Sequence, residues 1–137
     1  IFDRTIEKNG LKETANRLGK GIIAFSPLAQ GLLTDRYLHG IPADSRVRTD
    51  GRFLKESALT EEKLAQIRAL NEIAAARGQS LAEMALAWIL KDGQVTSVLI
   101  GASRPEQILD NIKALDNTTF TAEELEAIDK ASGYSKE

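Results

Sequence analysis

The 137-residue sequence predicts an α/β fold built on a parallel sheet, and three observations carry that expectation. Gly21-Ile-Ile-Ala-Phe25 is a short apolar run without polar alternation, which fits a strand buried on both faces. A second strand over 96–100 ends in the apolar, largely β-branched run Val98-Leu-Ile100. This strand empties into Gly101-Ala-Ser-Arg-Pro-Glu-Gln-Ile-Leu-Asp-Asn111, a glycine turn with a helix start behind it.

The elements around these strands follow from caps and periodicity. Asp3 is placed to cap a short helix carrying Ile6, and Asn9-Gly10 interrupts before Leu11, Ala15 and Leu18 resume a helical stripe ended by Gly19. Ser26-Pro-Leu-Ala-Gln-Gly31 turns the first strand into a long polar stretch, 26–58, whose cations are Arg36, Arg46, Arg48, Arg52 and Lys55. A connection of that length in a compact domain is a lid, a binding loop or a disordered segment. Thr60 caps a helix with Leu64, Ile67, Leu70 and Ala74 inward and Gly78 at its end; Ser80 and Glu83 form a capping box for a helix facing the core with Leu81, Met84, Ala85 and Trp88. After the Asp92-Gly93 turn and the second strand, a helix carries Ile108, Leu109, Ile112 and Leu115. Thr121 and Glu124 box the last helix, with Leu125 and Ile128 inward and 133–137 read as a frayed end.

The stretch 101–111 is where chemistry is expected. Ser103 and Glu106 have capping-box spacing, and Pro105 sits in the first turn, where a missing N–H costs nothing. Free backbone N–H groups and the positive dipole end suit an anion, and Arg104 adds a full charge, although an ordinary βα turn shares the pattern.

Composition removes other classes. A net charge of −2 gives no electrostatic reason to expect nucleic acid or an anionic membrane. The absence of cysteine excludes disulfides, a thiol nucleophile and thiolate metal sites, and the single histidine, His39, read as a surface residue, argues against an imidazole zinc cluster. No apolar run approaches membrane-spanning length, so cytoplasmic is the default localisation. The start at Ile1, without methionine and with a cap already in place, reads as a piece of something longer. Two strands under so many helices leave edges and faces uncovered, so further strands are expected elsewhere, and dimerisation or domain swapping is another way to cover them.

Several motifs in order resemble the C-terminal part of aldo-keto reductases, from about Phe2 to Ser132. They are Ile22-Ile-Ala-Phe-Ser-Pro-Leu-Ala-Gln-Gly-Leu-Leu-Thr34, Gly40-Ile-Pro-Ala-Asp-Ser-Arg46, Ser80-Leu-Ala-Glu-Met-Ala-Leu-Ala-Trp-Ile-Leu90 and Val98-Leu-Ile-Gly-Ala-Ser-Arg-Pro-Glu-Gln107. The subgroup most resembled holds potassium-channel β-subunits and bacterial glyceraldehyde 3-phosphate reductases. The resemblance implies that residues 1–137 are the C-terminal part of a TIM (β/α)₈ barrel, with 21–25 as strand seven and 96–100 as strand eight. It also implies an NADP(H) site. Ser26, Pro27, Leu28, Gln30, Gly31 and Leu32 match the segment along the pyrophosphate and ribose, and Gly101, Ser103, Gln107, Asp110 and Asn111 match the adenosine segment. Arg36 takes the place of a cofactor-contacting lysine in a triplet that here reads Asp35-Arg-Tyr37. Arg46 falls near the 2′-phosphate, and Arg104 is a second candidate partner for it. Guanidinium forks beside a capped helix start suit a phosphate monoester.

The family's proton-donor tyrosine and its lysine, aspartate and histidine partners match no position here; Tyr37 and Tyr134 fall in a loop and a tail. The resemblance therefore implies the cofactor-binding part of an NADPH-dependent reductase of aldehydes or ketones, inactive alone, with no metal. Two alternatives are a nicotinamide-binding regulatory subunit like the channel β-subunits and a structural module whose arginines only solvate it.

Overall fold

A computed structural model describes residues 1–43, 57 and 59–135. Two short helices, α1 (Thr5–Lys8) and α2 (Leu11–Arg17), lead into β1 (Ile23–Ala24). Two 3₁₀ turns follow, Ala29–Gly31 and Asp35–Tyr37, then α3 (Glu61–Ala76), α4 (Leu81–Leu90) and β2 (Ser97–Val98). The chain closes with α5 (Pro105–Ile112), a 3₁₀ turn over Lys113–Asp116, and α6 (Ala122–Ser132).

Most of the expected caps form. Asp3 Oδ1 accepts from the Thr5 N–H at 2.9 Å, Thr60 Oγ1 accepts from Lys63 N at 3.1 Å, and both Ser80/Glu83 and Thr121/Glu124 are complete capping boxes. Each satisfies N–H groups that a helix start would otherwise leave unpaired, typically a contribution of about 1 kcal/mol.

Helix α4 is the centre of the packing. Leu81, Met84, Ala85 and Trp88 join Ile67, Leu70 and Ala74 of α3 and Ile128 of α6, while Leu86 and Ala87 on its other side pack with Ala114, Val98 and Ile100. A helix buried on both sides must be apolar almost all round, which explains the run from Leu81 to Leu90. Each fully buried side chain such as Ile67, Leu70 or Met84 contributes about 1.5–3 kcal/mol of apolar transfer. The stretch after Phe25 is less irregular than its composition predicts, because Leu32, Leu33 and Tyr37 are buried in this core.

The strands pair in parallel as expected, Ile23 with Ser97 and Ala24 with Val98. Thr96 N to Ile22 O at 2.9 Å and Leu99 N to Ala24 O at 2.8 Å extend the ladder at both ends. Two expectations need correction. The strands are not buried on both faces, since Ile23, Phe25 and Leu99 are exposed. The stripe of α5 is likewise exposed at Ile108, Leu109, Ile112 and Leu115, as are Leu11 and Leu18 of α2, because nothing among the described residues packs over them.

The end read as frayed is fastened. Gly133 adopts a left-handed φ of 72°, Tyr134 N donates to Asp129 O at 2.9 Å, and Lys8 Nζ reaches Ser135 O at 3.3 Å. The fastener is Arg4, a buried arginine that composition and periodicity do not reveal. Its Nε donates to Ile1 O at 2.7 Å, Nη1 to Glu7 at 3.0 Å and Nη2 to Asp129 at 2.8 Å. Its guanidinium carbon lies 4.2 Å from the Trp88 ring centre and 4.3 Å from that of Tyr134. Lys91 Nζ stands 3.8 Å from the Trp88 ring and Lys8 Nζ 4.9 Å from that of Tyr134, so cations and rings alternate through the cluster.

Removing Arg4 would leave Asp129 and Glu7 partly buried without their main partner. Arg4→Ala is expected to lower unfolding free energy by about 3 kcal/mol in urea titrations followed by the fluorescence of Trp88, the single tryptophan. Burial alone would raise the Glu7 carboxyl, but the Arg4 hydrogen bond and the Lys91 and Lys12 charges outweigh it and hold the group below its ordinary 4.5. A carboxylate depressed in the folded state contributes stability that is complete above the unfolded value and lost as pH falls through the folded one. The melting temperature should therefore drop as pH is lowered below 4.5, and Glu7→Gln should flatten that acid limb of a Tm–pH profile.

Candidate functional site

The parallel register decides how the two expected loops meet. With Ala24 beside Val98, the chain leaves both strands at their C-terminal ends side by side, so the segment from Ser26 and the segment from Gly101 start as neighbours. Loops at the carboxyl ends of parallel strands are where α/β folds gather ligands.

The first segment is conformationally unusual. Ser26, Ala29 and Gln30 have φ values of 50°, 50° and 61°, in the left-handed region that side-chain-bearing residues rarely enter. Gln30 Nε2 lies 3.5 Å from Ser26 Oγ, and a ladder of turns, Ala29 N to Ser26 O and Gly31 N to Leu28 O, holds the backbone there. Backbone strain of this kind, about 1–3 kcal/mol per residue, persists where surrounding packing over-determines it and concentrates at functional sites. The packing is visible: Leu28 rests against both apolar clusters, and Leu32 belongs to the larger core. Leu32 thus spends its side chain on the core. Pro27 and Gly31 are half-buried in the same turn, and the exposed Arg36 follows in the second 3₁₀ turn, started by Thr34, whose Oγ1 accepts from Arg36 N at 3.3 Å.

The second segment departs from its expected cap. The N-cap of α5 is Arg104, with Pro105 at the first helical position, and the residue that closes the cap is Gln107, not Glu106. Gln107 Oε1 accepts from Ser103 N at 2.8 Å, Ser103 Oγ at 3.2 Å and Arg104 N at 3.3 Å. Three donors converging on one atom mark that atom as the amide oxygen. Ser103 cannot play the N-cap role because it stands one residue before the cap, so its hydroxyl donates instead of accepting from the helix. The Arg104 side chain contributes no cap hydrogen bond and is exposed. Asp110 is exposed and pairs with Lys113 Nζ at 2.8 Å, and Asn111 is half-buried on the Gln107 side of the helix.

Gly101 gives a further clue. Its φ is not left-handed, and a Cβ built on it would meet nothing within 4 Å, so neither strain nor packing within the chain explains a glycine there. Open space above a glycine, an exposed guanidinium and a strained neighbouring turn fit a phosphate-bearing cofactor approaching the backbone closely. Arg46, Arg48, Arg52 and Lys55 lie outside the described residues. His39 is exposed, whereas Tyr37 is core and not a loop side chain. Among the described residues no group of histidine and carboxylate side chains could hold a metal ion.

Two open grooves lie away from this place. One of about 490 Å³ is lined by Arg4, Lys8, Gly133 and Tyr134, and one of about 310 Å³ by Glu7, Lys12, Asn16 and Gln94; neither touches a predicted site residue. A ledge formed by two strand ends offers no concavity by itself.

Two adjacent parallel strands carrying strained and capped loops at their carboxyl ends define an α/β chain of the nucleotide-binding enzyme type. The particular family is the aldo/keto reductase family, to which the chain belongs, with residues 1–132 matched. The chain is 54% identical over 133 residues to L-glyceraldehyde 3-phosphate reductase of Escherichia coli K12, covering 95% of this chain and 38% of that protein. It is 42% identical over 118 residues to a probable voltage-gated potassium channel subunit beta of Oryza sativa, covering 85% and 36%. Among solved structures, the glycerol dehydrogenase of Gluconobacter oxydans superposes with a TM-score of 0.73 at 30% identity, over 95% of this chain and 39% of that one. The chain thus spans less than two-fifths of the length of these relatives. Among the described residues, no helix is long and apolar enough to cross a membrane.

The cap assignment is testable without any ligand. Gln107→Ala should fray the first turn of α5 and cost about 1 kcal/mol, whereas Glu106→Ala should cost little; hydrogen exchange at 103–108 with urea titration distinguishes the two.

Proposed function

We propose that this chain is the cofactor-gripping C-terminal part of an NADPH-dependent aldo-keto reductase that converts aldehydes or ketones to alcohols. The observation that carries the reading is the placement of the Ser26 and Gly101 segments side by side at the ends of β1 and β2. A nicotinamide cofactor, when bound, supplies hydride. The work of this chain is to hold it. The turn from Ser26 to Leu32 lines the pyrophosphate and ribose, with Arg36 as a further cation on that side. Arg104 and Arg46 pair with the 2′-phosphate, while Gly101 and Ser103 let the backbone come close and Gln107, Asp110 and Asn111 face the adenosine. No residue here takes the proton-donor role, so binding without turnover is expected of the isolated chain. In a whole reductase this part adds a wall to the carbonyl pocket.

Similarity to channel β-subunits supports a second reading, a nicotinamide-binding regulatory subunit with little turnover. Both readings require the same grip and differ in the catalytic residues supplied elsewhere.

A fluorescence titration of the 137-residue chain tests the grip. NADPH should bind more tightly than NADH, and Arg104→Ala should weaken NADPH by roughly tenfold while leaving NADH unchanged, as loss of a charge-assisted bond to the extra phosphate requires. Equal affinities for the two cofactors, or indifference to the substitution in a chain with an intact circular dichroism spectrum, would sink the reading.

A further inference from the structure

The strand pair turns one face to the helices and the other to nothing. Val98 and Ile100 lie half-buried against Leu86, Ala87 and Ala114, whereas Ile23, Phe25 and Leu99 are 64%, 78% and 58% exposed. The register that pairs Ile23 with Ser97 brings Phe25 level with Leu99, so these three form one apolar strip. Helix α5 repeats the pattern: Gln107 and Asn111 are half-buried, while Ile108 and Ile112 are 45% and 52% exposed and Leu115 beyond them 63%. The sheet has only these two strands, so both outer edges are unpaired among the described residues.

Apolar exposure on this scale is uncommon on a monomer and marks an interaction surface. Parallel strands occur almost only in sheets covered on both faces, and each added parallel strand needs a crossover connection that brings a helix with it. A second copy related by a two-fold axis would present its strand edge antiparallel and could not continue this ladder. The matched relatives carry further chain in quantity, since this one covers only 38% of the reductase and 39% of the solved dehydrogenase.

We propose that the strip of Ile23, Phe25 and Leu99, with the outer stripe of α5, is a docking surface for a polypeptide that adds parallel strands and helices, and that this partner is the remaining portion of an aldo/keto reductase. The surface serves that polypeptide whether it is covalently continuous with this chain or a separate one. The inference goes beyond the cofactor reading and stands without it.

The test co-refolds the 137-residue chain with the segment of the E. coli K12 reductase that precedes its matched region, followed by native mass spectrometry and hydrogen exchange. A one-to-one complex protecting residues 22–25 and 97–100 is expected. Phe25→Asp and Ile112→Asp, both at exposed positions, should each weaken it by roughly tenfold or more while circular dichroism stays unchanged. The proposal falls if no complex forms, if the complex ignores both substitutions, or if the chain instead forms a homodimer that Phe25→Asp dissolves. A complex that forms normally yet shows no preference for NADPH over NADH would overturn the cofactor reading alone.

Discussion

The arrangement of the described chain depends on the burial of one guanidinium. Arg4 is 7% exposed, and its donors reach a backbone carbonyl and two carboxylates on different elements, while its faces lie against Trp88 and Tyr134. Removing such a charge from water is costly, and the cost is offset only when hydrogen bonds and a countercharge replace what water gave. Here they do. The result ties the start of the chain, α1, α4, α6 and the tail at Tyr134 into one unit. Glu7 extends the network by also approaching Lys91 at 3.5 Å and Lys12 at 3.7 Å, and Lys12 passes it on to Asp92 at 2.6 Å.

A second arginine fixes the other end of α6. Arg77, at the end of α3, donates to Glu124 at 2.5 Å, to the Thr119 carbonyl at 3.0 Å and to Gln79 at 2.9 Å, and its plane lies 3.7 Å over the Phe120 ring. Glu124 is the capping-box residue of α6, so one carboxylate both starts that helix and binds it to α3. Helix α6 is thereby held at Asp129 by Arg4 and at Glu124 by Arg77, with Ile128 buried between them. Both arginines are structural, and neither belongs to the loops where sequence reasoning sought cations.

The two sides of the molecule differ in completeness. On the α3, α4 and α6 side, apolar stripes find partners and charges find countercharges; on the side of α2, β1, β2 and α5, large apolar side chains face outward. The candidate site lies where these sides meet. Its rigid parts come from the complete side, through Leu28 and Leu32 in the core, and its open parts, Gly101 and Arg104, belong to the incomplete one. That division suits a grip whose far wall another part of the protein supplies.

The sequence by itself determined the local order: the α/β class, the parallel pairing, the caps at Thr60, Ser80 and Thr121, the core stripes of α3 and α4, and the family. These are legible because caps and periodicity act within a few residues, and because several motifs in a fixed order are hard to produce by chance. Only the tertiary structure decided that Gln107 and not Glu106 closes the α5 cap, since which oxygen reaches the N–H groups depends on where the turn places the N-cap. It alone showed that the strands expose one face, because burial belongs to what packs opposite and not to the strand. Arg4 was illegible for the same reason. Its partners lie up to 125 residues away, and no spacing along the chain records a contact that folding creates.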